Sequence, residues 1–252
     1  MARRALPLML LLAIALVGCG PKTKRILSCE DYYQRGTKYI EEKDWVKAKE
    51  AFEQVTLRFP GCEKVDDAQF MLGEVYYRQG LYIEADYEYK RVVSDFRLSD
   101  RKEDAQYKIA LCAFEQCFPA ALDQSLTKQA IFRLRLYFED YPRGEWAKDA
   151  RGKIQELRER LAKKDYNTAR FYHRQNYDEA ALIYLGNVLT NYADAGEWVD
   201  RARFLKARIL LERGRKPEAM ILLRAIRLDG IRPRMREDVL ALMKTLNMTP
   251  SK

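Results

Sequence analysis

This chain of 252 residues contains a single histidine, the residue type that most often acts as a general acid or base in catalysis. The single histidine, His173, lies between Tyr172 and Arg174 near a predicted helix end, a setting typical of a structural histidine. The sequence contains no Cys-x-x-Cys, His-Glu-x-x-His, glycine-rich phosphate loop or Gly-x-Ser-x-Gly motif. Because nothing groups a nucleophile with a base and an orienting group, we predict a protein that is not an enzyme and has no metal or cofactor site.

Cysteine chemistry is more informative, beginning with Cys19. Two arginines, Arg3 and Arg4, precede an apolar stretch over residues 5–17, which is too short to span a membrane and is typical of a signal peptide. The tetrad LVGC that ends at Cys19 is similar to the bacterial lipobox. That similarity implies cleavage before Cys19, a diacylglycerol thioether on its sulfur and acylation of the new amino terminus. The alternative is an ordinary secretory signal with a chance cysteine.

Acyl chains on Cys19 would form a stable membrane anchor, because each buried methylene contributes about 0.8 kcal/mol. Gly20 stands where some bacteria use aspartate to retain lipoproteins at the inner membrane, which favours the outer membrane. The tether over residues 20–28 reaches at most about 30 Å. Its cations Lys22, Lys24 and Arg25 either rest on anionic headgroups or form a solvated linker.

Four further cysteines would lie in an oxidising compartment. Cys112 and Cys117 are five residues apart on one predicted helix, so their side chains point about 140° apart. We therefore predict that these two remain free thiols.

The net charge of +9 is concentrated at the carboxyl-terminal end of the chain. Residues 201–252 contain 14 Lys or Arg against 5 Asp or Glu. An exported protein rarely meets nucleic acid, so we predict that this basic end faces an acidic protein surface or phosphate headgroups.

Helical periodicity repeats along the chain in units of similar design. The segments YYQRGTKYIEEKDWVKAKEAF, from Tyr32, and AQFMLGEVYYRQGLYIEADYEY, from Ala68, each combine a small residue, a turn, an alanine and then an aromatic residue. This pattern resembles the tetratricopeptide repeat. The key alanines are Ala48, Ala85, Ala130, Ala181 and Ala219. We predict an all-α, right-handed superhelix of five helical hairpins.

Two of these units are longer than the others. The third contains an insertion of eight residues within CFPAALDQSLTK, residues 117–128, where Pro119 breaks the helix. In the fourth, no breaker except Gly152 interrupts residues 146–175, which predicts one long helix. A last helix over residues 234–248 is expected to cap the stack.

The predicted organisation has five parts along the chain. They are a signal peptide (1–18), a lipidated tether (19–28), repeats one to three (29–142), repeats four and five with the long helix and the cap (143–248), and a tail (249–252).

The repeat pattern makes Cys29 and Cys62 a candidate disulfide pair. The start of the first helix of a hairpin lies beside the end of the second, and these cysteines occupy those two positions. A bridge there would close a loop of 34 residues and stabilise the first hairpin by roughly 3 kcal/mol. The alternative is two unpaired surface thiols.

Two segments give a more specific resemblance. They are DQSLTKQAI, residues 123–131, and FEDYPRGEWAKDARGKIQELRERLAKKDYNTARFYHRQNYDEAALIYLGNVLTNYAD, residues 138–194. The most specific element is the A-x-F-Y-x-R piece that runs from Ala169 to Arg174. Together they resemble the BamD family of outer-membrane β-barrel assembly lipoproteins along nearly the whole mature chain.

The resemblance implies a site on the periplasmic face of the outer membrane and two kinds of partner. The last repeats would bind a POTRA domain of a BamA-like barrel-inserting protein, and the first repeats would recognise the carboxyl-terminal signal of unfolded outer-membrane proteins. The alternative function is a lipid-anchored adaptor for another envelope machine, such as a secretin pilotin or a cell-wall coordinator.

Both surfaces can be assigned to residues. In such a stack the first helix of each pair lines the concave face, where mixed aromatic and polar groups suit a peptide with aromatic side chains and a terminal carboxylate. The predicted groove residues are Tyr33, Thr37, Phe70, Glu74, Tyr77, Arg78, Tyr107, Leu111 and Phe114, with Arg78 pairing the carboxylate. The predicted docking residues for the acidic partner are Arg201, Arg203, Arg208, Arg213 and Arg215. The alternatives are interhelical packing for the aromatic residues and a solvated face for the arginines.

Overall fold

The computed structural model describes residues 26–249, so the predicted signal peptide, Cys19 and most of the predicted tether lie outside the described residues. This range holds eleven α-helices, a 3-10 turn at Leu228–Gly230 and no strand. The helices are α1 (Cys29–Glu41), α2 (Trp45–Arg58), α3 (Val65–Arg78), α4 (Tyr82–Asp95), α5 (Lys102–Glu115), α6 (Ser125–Asp140), α7 (Ala147–Arg174), α8 (Asp178–Asn191), α9 (Glu197–Glu212), α10 (Lys216–Arg224) and α11 (Pro233–Thr245). No described helix has the length and apolar content needed to cross a membrane.

Consecutive helices pair into five hairpins, and α11 packs on the last, as the sequence predicts. The long helix α7 has 28 residues and is about 42 Å long. Its bounds fall one residue inside the predicted range at each end. The cap is shorter than predicted and begins at Pro233, whose fixed φ suits the first position of a helix.

A small residue on the first helix of each hairpin meets a large one on the second. Sixteen residues separate the two in four hairpins, and 24 in the third, which contains the insertion of eight. The pairs are Gly36–Phe52, Gly73–Tyr89, Ala110–Leu134, Ala169–Leu185 and Ala207–Leu223. All ten residues are buried, so glycine accompanies an aromatic ring and alanine accompanies leucine. The combined volume of the two side chains is thereby similar in all five hairpins, as a closely packed core requires.

Seven residues after the small residue, the chain turns from the first helix to the second through a left-handed backbone conformation. Four hairpins share this turn, with φ of 58° at Lys43, 76° at Gly80, 63° at Asn176 and 74° at Gly214. Glycine and asparagine tolerate this conformation, which ends a helix sharply.

The long helix α7 contributes to two cores. Its first part packs with α5 and α6 through Ala150, Leu157 and Leu161, while Ala162 and Ala169 pack with α8 and α9. The predicted division at residue 142 falls in the turn before α7, whereas packing passes from one core to the next inside the helix.

The eight-residue insertion lies in the loop between α5 and α6 and is held against α7. The Arg160 guanidinium donates to the Phe118 carbonyl at 3.3 Å, and the Lys164 ammonium donates to the Leu122 carbonyl at 2.6 Å. These contacts tie an irregular loop to the longest helix of the molecule.

A disulfide joins Cys29, the first residue of α1, to Cys62 in the turn after α2, with a Cα–Cα distance of 6.5 Å. Cys112 and Cys117 are free thiols. The prediction that both lie on one helix is wrong for Cys117, because α5 ends at Glu115 and Cys117 follows in the loop.

Candidate interaction surfaces

An aromatic residue stands three positions before the small residue in the first helix of every hairpin. The five are Tyr33, Phe70, Tyr107, Tyr166 and Phe204. In the first two hairpins, a cation from the start of the next hairpin covers the ring. The Lys64 ammonium lies 5.6 Å from the Tyr33 ring centroid, and the Arg101 guanidinium lies 5.4 Å from that of Phe70.

At the third hairpin an aromatic residue replaces the cation. The Trp146 indole stacks on Tyr107 with centroids 5.2 Å apart and donates from Nε1 to Asp104 at 2.8 Å. The Tyr107 hydroxyl contacts Asp149. These contacts bury Phe70 and Tyr107, so both predicted groove residues mainly join neighbouring hairpins.

Glu74 is also buried and satisfied within the fold. Its carboxylate accepts from the Tyr89 hydroxyl at 2.6 Å and pairs with the Lys108 ammonium at 2.5 Å. Burial, together with the Glu74 charge, raises the pKa of Tyr89, which therefore remains a donor. Leu111 is buried as well, and the half-buried Thr37 donates its hydroxyl to the Tyr33 carbonyl at 3.1 Å.

A set of accessible groove residues remains, joined by two lysines that were not in the predicted set. The Lys108 ammonium lies 4.8 Å from the Tyr77 ring centroid, and the Lys153 ammonium lies 4.3 Å from that of Phe114. Arg78 has a side chain 50% exposed, and its nearest carboxylate is that of Glu74 at 3.8 Å. We call Tyr77, Arg78, Lys108, Phe114 and Lys153, which come from α3, α5 and α7, the aromatic–lysine face.

The aromatic–lysine face combines ring surfaces with two weakly paired cations, Arg78 and Lys153, whereas Lys108 is already paired with Glu74. The Tyr77 hydroxyl donates to Glu115 at 3.3 Å, and burial raises the pKa of Tyr77. Lys153 has its nearest carboxylate, Asp149, at 3.9 Å. Such a surface can hold an aromatic side chain and a carboxylate at the same time.

The five predicted docking arginines separate into three groups. Arg203 pairs at 2.7 Å with the buried Asp200, so its role is structural. Arg213 contacts Glu179, and Arg215 forms a bidentate pair with Glu218 at 2.7 Å on the turn between α9 and α10.

Arg201 and Arg208 lie on one face of α9, seven residues apart, with Phe204 between them. Arg201 pairs with Glu197 at 3.2 Å and covers the Trp198 ring at 4.4 Å. Arg208 is exposed. Of the predicted set, Arg201 lines the cleft described next.

A cleft of 300 Å³ opens between α7, α9 and the start of α11. We call it the arginine cleft. Its lining includes Tyr166, Phe204 and Met235 and four arginines, namely Arg170, Arg201, Arg232 and Arg234. Three of these four arginines, Arg170, Arg232 and Arg234, were not among the docking residues predicted from the sequence. The available signal was the string IRPRM, residues 231–235, which places arginines on both sides of a proline that begins a helix.

Sequence comparison assigns the chain to a family. Residues 27–215 match the YfiO family, described as outer membrane lipoprotein. The chain belongs to the YfiO family. The family resemblance predicted from the motifs is thereby confirmed, and this YfiO-family chain is associated with the outer membrane.

A curated relative of the YfiO-family chain is the "Outer membrane protein assembly factor BamD" of Caulobacter vibrioides. The two are 30% identical over 178 residues, which cover 68% of this chain and 58% of the relative. The chain thus matches less than two thirds of the length of that relative.

Solved structures of low similarity include "Crystal structure of MamA protein", at 14% identity and a TM-score of 0.35, covering 89% of this chain and 98% of that one. Another is "Assembly Chaperone of RpL4 (Acl4)", at 15% identity and a TM-score of 0.34, covering 88% and 86%.

The single histidine lies in a small polar cluster at the turn between α7 and α8. His173 Nδ1 is 2.8 Å from Asp178 Oδ1, and Glu212 brings a third possible metal ligand within 4.8 Å. Arg213 lies 3.7 Å from the other oxygen of Asp178. The positive charge of the Arg213 guanidinium, so close to Asp178, opposes the binding of a metal cation in this cluster.

Proposed function

We propose that this protein is a lipid-anchored, non-enzymatic scaffold of the outer-membrane β-barrel assembly complex. The observation that carries the proposal is the family match over residues 27–215, together with a relative whose name is that of an outer-membrane protein assembly factor. The described residues form a continuous stack of hairpins, an architecture suited to holding partners along its length.

The carboxyl-terminal repeats are proposed to dock a BamA-like barrel-inserting protein through one of its periplasmic POTRA domains. The excess of positive charge in residues 201–252 supports this assignment. Of the predicted docking residues, Arg201 and Arg208 share one face of α9. Charge of one sign on one face increases the rate of encounter with an acidic partner.

The amino-terminal repeats are proposed to recognise unfolded outer-membrane proteins through the aromatic–lysine face. Tyr77 and Phe114 offer ring surfaces to an aromatic side chain, and Lys153 and Arg78 offer cations to a terminal carboxylate. The proposed anchor is the acylated Cys19, which would hold the body at the periplasmic face of the membrane.

The docking half can be tested with the full-length lipidated protein in detergent and the isolated POTRA domains of the host's barrel-inserting protein. We expect binding that weakens at least fivefold in Arg208→Glu. Binding is expected to be unchanged in Arg135→Glu, which makes the same charge change at an exposed position of α6. Failure of the wild-type protein to bind any POTRA domain would contradict the proposal and favour an adaptor of another envelope machine.

The substrate half can be tested with a labelled peptide that ends in an aromatic residue and a free carboxylate. We expect Phe114→Ala to weaken binding and Phe132→Ala, at an exposed position of α6, to leave it unchanged. The same peptide with an amidated terminus should bind more weakly, because Lys153 and Arg78 then have no carboxylate of the peptide to pair with. Equal binding of both peptides by all three proteins would exclude this surface.

A further inference from the structure

The arginine cleft brings the side chains of four arginines from three separate parts of the fold to one place. Arg170 comes from α7, Arg201 from α9, and Arg232 and Arg234 flank Pro233 at the start of α11. One carboxylate, that of Asp238, also lines the cleft. Glu197 pairs with Arg201 at 3.2 Å and with Arg232 at 3.6 Å. Positive charge therefore remains in excess, and a net positive cleft attracts an anionic ligand.

The start of α11 adds to this field instead of opposing it. Helix amino termini carry partial positive charge and favour acidic residues, yet the first turn of α11 has none. Within the part of the chain that the structure describes, no side chain caps this terminus. Arginines at the amino terminus destabilise an isolated helix, and an anion bound beside them would relieve the unfavourable charge.

The cleft also has an apolar floor. Tyr166 and Phe204 line it together with Met235. These two are the aromatic residues that stand three positions before the small residue in the fourth and fifth hairpins. Arg170 lies 5.9 Å from the Tyr166 ring centroid. Arginine, tyrosine, phenylalanine and methionine together are the residue types enriched at protein–protein interfaces.

We propose that the arginine cleft binds an acidic segment of a partner protein, with two or more carboxylates against the arginines and one apolar side chain on Phe204 and Met235. The volume of 300 Å³ fits a short stretch of polypeptide and lies at the lower end of ligand pockets. A recessed site with an apolar floor favours a peptide over the flat headgroup layer of a membrane. The proposal deepens the docking half of the proposed function and rests on it only for the identity of the partner.

The probe is a fluorescein-labelled peptide of sequence Glu-Asp-Phe-Glu-Asp, and its control is Gln-Asn-Phe-Gln-Asn. Binding to the full-length protein in detergent is followed by fluorescence anisotropy. The cleft variant is Arg170→Glu/Arg234→Glu. The matched control is Arg135→Glu/Lys148→Glu, which changes the net charge equally at exposed positions of α6 and α7. Circular dichroism checks that each variant folds, and the single variants Arg170→Gln and Arg234→Gln provide milder changes.

We expect the acidic peptide to bind, the amide peptide not to bind, and the cleft variant to lose at least tenfold in affinity while the matched control loses less than threefold. Each single glutamine variant should lose about threefold, since one charge of several is removed. Equal losses in the two double variants would overturn the proposal, because net charge alone would then explain binding. The same proteins would also be tested for binding to anionic vesicles. If the cleft variant kept its affinity for the peptide but no longer bound these vesicles, the proposal would be overturned in favour of a headgroup site.

Binding of the isolated POTRA domains, measured with the same proteins, separates the two proposals. Peptide binding at the cleft without any POTRA binding would support the cleft and contradict the assembly role. POTRA binding that the cleft variant retains, with no peptide binding, would support the assembly role and contradict the cleft.

Discussion

The ring of Tyr89 fills the space that a side chain on Gly73 would need. A Cβ atom built on Gly73 would lie 2.5 Å from the ring, and the same relationship recurs between Gly36 and Phe52 at 2.6 Å. Tyr89 has no room to move away, because it is fully buried and its hydroxyl is held by Glu74.

We predict that Gly73→Ala lowers the free energy of unfolding by about 1–2 kcal/mol. Overpacking a close contact costs about 1–3 kcal/mol, and the better helix propensity of alanine returns only part of that. The change would be measured as a lower midpoint in urea denaturation. The matched control is Gly152→Ala in α7, where an added Cβ meets nothing within 4 Å. It should raise the free energy of unfolding by about 0.5–1 kcal/mol. A stabilising Gly73→Ala would contradict the observed packing.

The disulfide between Cys29 and Cys62 should stabilise the first hairpin locally. Closure of a loop of this length contributes about 3–4 kcal/mol by loop entropy. In Cys29→Ala/Cys62→Ala, amide hydrogen exchange in α1 and α2 should accelerate roughly a hundredfold or more, while α9 to α11 change little, since repeats interact mainly with their neighbours. Cys117→Ala serves as the control and should leave exchange in α1 unchanged. Uniform acceleration along the chain would argue against a local effect.

The two free thiols should differ in reactivity. Cys112 is buried, and burial raises its pKa to about 12, whereas Cys117 is half-buried and its pKa is raised for the same reason. A raised pKa keeps each thiol protonated in the folded protein. The contribution of each thiol to the free energy of unfolding is therefore full at neutral pH and declines as the pH rises above the pKa of the thiol in the unfolded chain. Because the thiolate is the reacting species, we expect at least tenfold faster maleimide labelling of Cys117 than of Cys112. The rate at Cys117 should rise nearly tenfold per pH unit between pH 7 and pH 8. Peptide mass spectrometry would report each site, and equal rates would contradict the prediction.

The loop between α5 and α6 should open when its contacts with α7 are removed. Hydrogen bonds from the Arg160 and Lys164 side chains to loop carbonyls together contribute about 2 kcal/mol to closure. In Arg160→Ala/Lys164→Ala we expect chymotrypsin to cut near Phe118 and Leu122 at least tenfold faster. The double variant Lys148→Ala/Lys163→Ala, on the same helix, should be cut at the wild-type rate.

Replacing the proposed anchor should release the protein without unfolding it. Cys19→Ser removes the sulfur that we propose to be acylated, so we expect the protein to leave the outer-membrane fraction. Its circular dichroism and thermal midpoint should stay at wild-type values, because the hairpins lie in residues 26–249. Unchanged fractionation would contradict the lipobox interpretation.

The helices and their pairing were predictable because the small residue, the alanine and the large apolar or aromatic residue after it recur at fixed spacing. The five key alanines are all fully buried, and the Pro119 break and the long helix fall where the sequence places them. Local signals of this kind decide local structure, as at Phe59 and Tyr141, which end α2 and α6 before a proline.

The interaction surfaces were harder to predict, because exposure depends on contacts between hairpins. Phe70 and Glu74 have the right types for a peptide groove, yet Arg101 covers one and Lys108 neutralises the other from the next hairpin. The arginine cleft depends on three helices that are distant in sequence, and no periodicity brings Arg170 beside Arg234.

The long helix α7 connects the two halves of the described chain without a break. One uninterrupted helix enters both the core of the third hairpin and that of the fourth, so the two halves of the described chain are joined there by helix and not by a loop. A tilt of about 5° at one end of a 42 Å rod moves the other end by about 4 Å. We therefore expect α7 to couple the two halves, so that a partner that tilts the first repeats also displaces a partner bound to the last ones.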